Sequence, residues 1–304
     1  MSKITVEIVS DPKECEKLWR KYIKPKSVFD LWDVRYSFQQ AFKNKLQFHL
    51  FKQMNKLVGL IPLWYSADKK IYECIGGEWC EDNAFFSQSA AELKKIINVL
   101  PKPLVVKSIP VESLKKTEKL FKEDEMQYFL SLVGKKTIED LTKDFSKKHR
   151  YNFVRDYKKT TETNPTLNWI DKTEEQLKYL EKMKTLSVKR FEDKKEESTF
   201  LNKNDFDSYK YLVKNQGEYK VRMLVVEINK KIISIEFVLL FKKTYYVVTG
   251  ASDISAYPGI GNHNIYLLIE DALSSGSKEI NILQEDHGWK HRYFSERVMM
   301  KLEK

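Results

Sequence analysis

The alternation of apolar and polar residues predicts helices and strands whose order occurs twice. A short strand over residues 4–9 precedes a helix opened by Asp11-Pro12, an aspartate N-cap with proline at the first helical position. Leu18, Trp19 and Tyr22 share one face of that helix, and a second amphipathic stretch covers 29–43. Three runs of strand character follow, 47–54, 57–65 and 70–75, with Asn55-Lys56 as the hairpin tip between the first two. Gly76-Gly77-Glu78-Trp79 breaks the pattern and starts a loop through Phe86. A helix at 90–99, a strand at 104–109, a helix at 112–121 and a strand at 128–133 complete the first half.

The second half repeats the order. A basic helix is expected from Thr137 to about 159, with Thr-x-x-Asp over 137–140 as a capping-box-like start. A strand at 167–170 and helices at 173–190 and from Asp205 to near Gly217 come next. Three antiparallel strands follow, 221–228, 232–241 and 245–250, the first two joined by a turn at Asn229-Lys230. A loop over 251–261 leads to a helix at 262–275 and a strand at 279–283, with one more strand at 298–302. The class is α/β (mixed α+β), with two similar domains in tandem, 1–134 and 135–304, each a mostly antiparallel mixed sheet flanked by helices. A length of 304 residues suits two domains of about 150.

Charge narrows the partners. The chain has 54 Lys and Arg against 43 Asp and Glu, a net charge of +11. An excess of this sign favours nucleic acid, a phosphorylated cofactor or an anionic membrane face, reached by peripheral contact. Three cysteines without a C-x-x-C pair point to a reducing, cytoplasmic compartment. The five histidines lack ligand spacing, so no metal is expected. The first residues have no apolar core, and no uncharged run approaches 18 residues, so neither a signal peptide nor a transmembrane segment is expected.

The chemistry concentrates in 245–290. A strand runs into Tyr257-Pro258-Gly259-Ile260-Gly261-Asn262, and this loop opens a helix. Two glycines permit a sharp turn with exposed N–H groups, and the helix N-terminus adds partial positive charge; such a place holds a pyrophosphate, or serves only as a tight turn. Divergence of the strands before and after the helix would leave a slot for an extended arm. On the basic helix Lys148, Asn152, Arg155 and Lys159 fall on one face, which suits phosphates or is simply solvated.

Tyr257-Pro258-Gly259-Ile260-Gly261, a helix ending at Gly276, Ile280 to Asp286 and Trp289-Lys290 together resemble the acyltransferase domain of the CelD/BcsL type in the GNAT superfamily. Ser146, Lys147, Lys148, Arg150 and Asn152 match the Ser-Lys-Lys-x-Arg-x-Asn segment that precedes that domain, and Arg155 follows. More distant relatives are Fem-type aminoacyltransferases with two such domains. The likeness covers about 137–295. It departs where the superfamily's phosphate loop has Arg or Gln, since Ala256 stands there. The resemblance implies an N-acyltransferase moving an acyl group from acyl-coenzyme A to an amine acceptor. The alternatives are a tRNA-dependent Fem-type aminoacyltransferase, with tRNA as partner, and a non-catalytic polyanion-binding protein.

Candidate site residues follow. Asp286, just past a core strand, is the expected base, with Glu236, inside an apolar strand, as the next acid–base candidate and Lys290 close by to meet a phosphate or carboxylate. Gly259, Ile260, Gly261, Asn262 and Arg155 are expected at the donor. Glu78, Asp82, Lys148, Tyr246, Gln284 and Trp289 are expected at the acceptor, in a cleft between the halves. No Gly-x-Ser-x-Gly elbow occurs, so direct attack on a bound thioester or ester is favoured over covalent catalysis.

Overall fold

The structure, a computed structural model, describes residues 4–114 and 117–304. The chain divides into two compact units, one reaching to Met126 and including Arg297–Lys304, the other Gln127–Glu296. Among the described residues no helix is long and apolar enough to cross a membrane.

The first unit is built on an antiparallel sheet in the order Thr5–Val9, Lys45–Gln53, Lys56–Ser66, Ile71–Cys74, with the short Phe86–Ser87 also paired to Lys56–Ser66. Helices Pro12–Tyr22, Trp32–Phe42 and Ala90–Val99 accompany it. The first of these starts as its sequence dictates: Asp11 accepts from the backbone N–H groups of Lys13 and Glu14, and Pro12 occupies the first turn. A second sheet joins Val105–Pro110, Met299–Glu303 and Lys122–Glu123.

The second unit is one seven-stranded sheet in the order Ser295–Arg297, Gln127–Ser131, Glu279–Asn281, Thr244–Ser252, Lys231–Phe241, Lys220–Ile228, Thr166–Ile170. Thr244–Ser252 and Glu279–Asn281 run parallel, joined by helix Ile260–Ser274. Helix Lys147–Thr161 packs on that helix through Phe153 and Tyr157.

The repeat expected from the pattern is visible in detail. Each unit holds a hairpin of a nine-residue and an eleven-residue strand joined by two residues of positive φ, Met54-Asn55 in one and Asn229-Lys230 in the other. Two positive-φ residues match the right-handed twist of paired strands. Both hairpins shift register just before the turn, at Phe51/Lys52 and at Val226/Glu227.

Four expectations change. The helix expected at 112–121 is two 3-10 turns, Val111–Leu114 and Glu118–Leu120, and residues 115 and 116 lie outside the described ones. The long basic helix is two, Ile138–Thr142 capped by Thr137 and Lys147–Thr161 capped by Ser146, because each Ser or Thr hydroxyl satisfies a first-turn N–H and restarts the helix. The hairpin tip lies one residue earlier than Asn55-Lys56. Gln127–Ser131, expected to close the first half, pairs in the second unit's sheet, and Met299–Glu303, expected in the second half, pairs in the first unit. Local alternation marks a strand but does not say which sheet receives it.

Candidate active site

The parallel pair in the second unit is short. Thr244, Tyr245 and Tyr246 face Glu279, Ile280 and Asn281, and no further parallel partners follow among the described residues. Thr244–Ser252 continues for six residues beyond that point, with Val247 to Gly250 partly exposed. Its other edge stays paired to Lys231–Phe241, with Val248 as an extra residue between Val247↔Val238 and Thr249↔Phe237. An edge without a neighbour and a bulge both leave main-chain groups available to a ligand.

The neighbouring strand turns away because its end is held elsewhere. Asn281 accepts from the Leu283 N–H, and Leu283 and Glu285 adopt positive φ, 61° and 63°. The Lys290 ammonium, 7% exposed, donates to the carbonyls of Ile282, Leu283 and Gln284. Asp286 accepts from the N–H groups of Trp289 and Lys290 at 2.9 and 2.7 Å and pairs with His291.

At the far end of Thr244–Ser252, Gly259 in the left-handed region (φ 96°) turns the chain into helix Ile260–Ser274, whose N-terminus has no side-chain cap. A side chain at Gly261 would meet nothing within 4 Å. The first-turn N–H groups are therefore open to an anion. One feature opposes it. Asp156 of helix Lys147–Thr161 lies against Gly259, 3.2 Å from where a Cβ would stand, and accepts from the Asn262 amide at 2.7 Å. Arg155 donates to the same carboxylate from Nε and Nη2 at 3.0 and 2.7 Å.

Glu236 lies on the neighbouring strand. It pairs across the sheet with Gly250. A Cβ at 250 would overlap its Oε2, so the carboxylate folds over a position only glycine leaves free. Asn264 donates to Glu236 Oε1 at 2.7 Å and to Ser234 Oγ at 2.6 Å, and Ser234 is 2.6 Å from Ser252 Oγ. Burial pushes the Glu236 carboxyl up to about 7, against the lowering effects of the Asn264 hydrogen bond, the Arg190 guanidinium and Ser234. A carboxyl that titrates near neutrality and keeps a partly exposed surface is suited to exchange a proton with a bound group.

Several sequence expectations are corrected. Asp286 is not poised as a base: His291 and two backbone N–H groups hold its carboxyl below the usual range, overcoming its desolvation. Lys290 does not offer its charge to a ligand, because three carbonyls already take it. Arg155, expected at the donor, spends its guanidinium on Asp156, and it is that carboxylate, not Arg155, that lies against Gly259. Tyr246 is 3% exposed in the core. Gln284 lends its carbonyl to Lys290, and Trp289 meets Phe294 edge-on at 6.1 Å. Lys148 is exposed on helix Lys147–Thr161. Glu78 and Asp82 belong to the first unit, where Glu78 pairs with Lys69 at 3.4 Å. Gly259, Ile260, Gly261 and Asn262 sit at the helix start, and Glu236 lies on the neighbouring strand, opposite Gly250. Sequence reading missed Asn264, Ser234, Ser252 and Gly250; a glycine inside an otherwise bulky strand was the available signal.

Residues 147–291 match the family described as Acetyltransferase (GNAT) domain. No curated protein matches the chain. Among solved structures, a conserved protein of unknown function from Bacteroides thetaiotaomicron is 16% identical, with 98% of this chain and 100% of that one covered and a TM-score of 0.59. FemX is 9% identical over 97% and 96%, with a TM-score of 0.60. A tandem GNAT protein from the clavulanic acid biosynthesis pathway is 8% identical over 99% and 98%, with a TM-score of 0.55. The fold is thus a tandem GNAT-like one, residues 147–291 match the acetyltransferase domain of that description, and the protein is an acyltransferase.

Proposed function

We propose that the protein is an N-acyltransferase that moves an acyl group from acyl-coenzyme A to an amine, with Glu236 as the base. The observation that supports this best is the coincidence, at one end of Thr244–Ser252, of a free strand edge, an uncapped helix N-terminus and a carboxyl near neutrality. The edge beside Val248 would align an extended pantetheine arm through main-chain hydrogen bonds, and the N–H groups at Gly261 and Asn262 would hold a phosphate. In the reaction the amine nitrogen attacks the thioester carbonyl, the C–N bond forms and the C–S bond breaks. Glu236 takes the proton released by nitrogen, and the thiolate leaves and is protonated from solvent. Within the superfamily, the Ser146 to Asn152 segment and Tyr257 to Gly261 support the CelD/BcsL type.

A second reading, a Fem-type transferase using aminoacyl-tRNA, is favoured by one observation. Asp156, though paired with Arg155, sets a carboxylate beside the phosphate loop, while Lys147, Lys148 and Arg150 are exposed on the same helix. Donor competition decides. The protein would be incubated with an amine panel and either acetyl-coenzyme A or charged tRNA, and amide product followed by mass spectrometry. Product from the thioester alone supports the first reading; product from charged tRNA alone replaces it with the second.

A further inference from the structure

Helix Thr173–Asp193 buries Gln176, Leu180, Met183 and Ser187, a stripe at alternating spacings of four and three. The next position on that stripe is Arg190. Its Nε is shut off from solvent with no hydrogen-bond partner, and among the described residues its guanidinium makes no hydrogen bond or ion pair. Leaving such a donor buried and unmet is costly unless a ligand meets it. The guanidinium is near enough to Glu236 to act on its charge, yet the two do not close into an ion pair. Beside them the Asn264 amide, 1% exposed, donates to Glu236 while its own Oδ1 accepts nothing. A guanidinium that meets only the Phe191 ring, with its centroid 5.8 Å away, a carboxylate held apart from it and an orphaned acceptor thus border one another. Their complement is a group with an oxyanion at one end and an N–H donor at the other.

Resting on the acyltransferase reading, we propose that the acceptor is an amine bearing an oxyanion, a carboxylate or a phosphate, and that Arg190 binds the oxyanion while Glu236 and Asn264 Oδ1 face the nitrogen. Arg190 thereby sets which amines are used. Its planar fork matches either oxyanion with two parallel hydrogen bonds, which Lys or Gln cannot reproduce.

The test is a ratio. Initial rates would be taken with an amino acid, with phosphoethanolamine and with the corresponding neutral amino-acid amide, for the native protein, Arg190→Gln and Arg190→Lys. The native protein should prefer at least one anionic amine over the neutral amide by about 10–100-fold in kcat/KM, chiefly through KM. That preference should fall toward one in Arg190→Gln and recover in part in Arg190→Lys. The two anionic amines tell carboxylate from phosphate recognition. A native ratio near one, or a preference that survives Arg190→Gln, overturns the proposal. If no donor yields product, the acyltransfer reading fails separately. Calorimetric binding of the same three amines then applies the same criterion, with circular dichroism confirming that each variant is folded.

Discussion

The two units make the same turn and use it differently. Gly76 and Gly259 both sit at φ 96° and ψ −8°, each in the connection that follows the third strand of its unit's meander. After Gly259 comes a fifteen-residue helix with an open N-terminus. After Gly76 comes a single 3-10 turn, Gly77–Trp79, and then a loop wound around Arg35. That guanidinium, 2% exposed, donates to the carbonyls of Phe29, Ile75 and Glu81 and to the Asn83 side chain. Loop carbonyls aimed at an internal cation leave no ring of N–H groups for an external anion. The parallel contact differs too: in the first unit it is the single bridge Tyr72↔Leu104, beside a cavity of about 200 Å³ lined by Lys69, Glu73, Glu78 and Lys107. The same fold thus gives a self-filled loop in one copy and an open one in the other. The deciding residues are the buried Arg35 and the unobstructed Gly261.

The contrast can be broken at Arg35. Arg35→Met should leave four acceptors without their donor and destabilise the first unit by about 1–3 kcal/mol or more. Burial holds the Cys74 and Cys80 thiols up at about 12 and 11. Faster labelling of these buried cysteines by a thiol reagent, with a lowered denaturation midpoint, would register the loss. Unchanged labelling and midpoint would mean the loop is held by something other than Arg35.

Next in size is the chemistry of the open copy. Glu236→Gln should lower kcat by roughly 10²-fold or more without weakening donor binding. In the native protein kcat/KM should fall as pH drops through about 7, where the carboxyl gains its proton. The stability effect has the opposite direction. A carboxyl raised in the folded state contributes stability that is present below the unfolded value near 4.5 and lost as pH rises through about 7. At pH 8 the glutamine variant should therefore melt no lower than the native protein. A variant that loses activity and melts lower at pH 8 would mark Glu236 as a structural residue.

Two smaller substitutions sharpen the donor side. In Gly261→Val the Cβ meets no atom within 4 Å, so the melting temperature should hold while the KM for acyl-coenzyme A rises about tenfold through blocked backbone approach. An unchanged KM would leave the loop as a turn only. Asp156→Asn removes the negative charge beside the helix N-terminus and should tighten an anionic donor by about two- to fivefold at low salt, an effect that fades as salt is raised. A weaker donor in that variant would show that the carboxylate positions the loop rather than repelling the ligand.

Much of this was legible in the chain. The doubled element order follows from apolar periodicity, and the turn at Asn229-Lys230 from its residue types. Gly259 could be placed at a helix start because glycine readily accepts the left-handed turn found there. Glu236 stood out because a carboxylate inside an apolar strand is costly unless it has a use. The sequence also carried hints that periodicity alone does not weigh. Arg35 lies on the stripe Leu31, Arg35, Phe38, and Arg190 continues the stripe of Met183 and Ser187.

What the sequence determined by itself was local: which segments form helices and strands, where each begins, and which residues could bear charge or a proton. The tertiary structure alone decided the pairings over long separations. It sent Gln127–Ser131 and Met299–Glu303 to their sheets, set Asp156 against Gly259 across 103 positions, and brought Asn264 to Glu236 across 28. It also removed Asp286 and Lys290 from the list of free groups by giving them backbone partners. The reason is physical. Periodicity and capping act within a few residues, whereas the availability of a charged group depends on every donor and acceptor the folded chain carries to it.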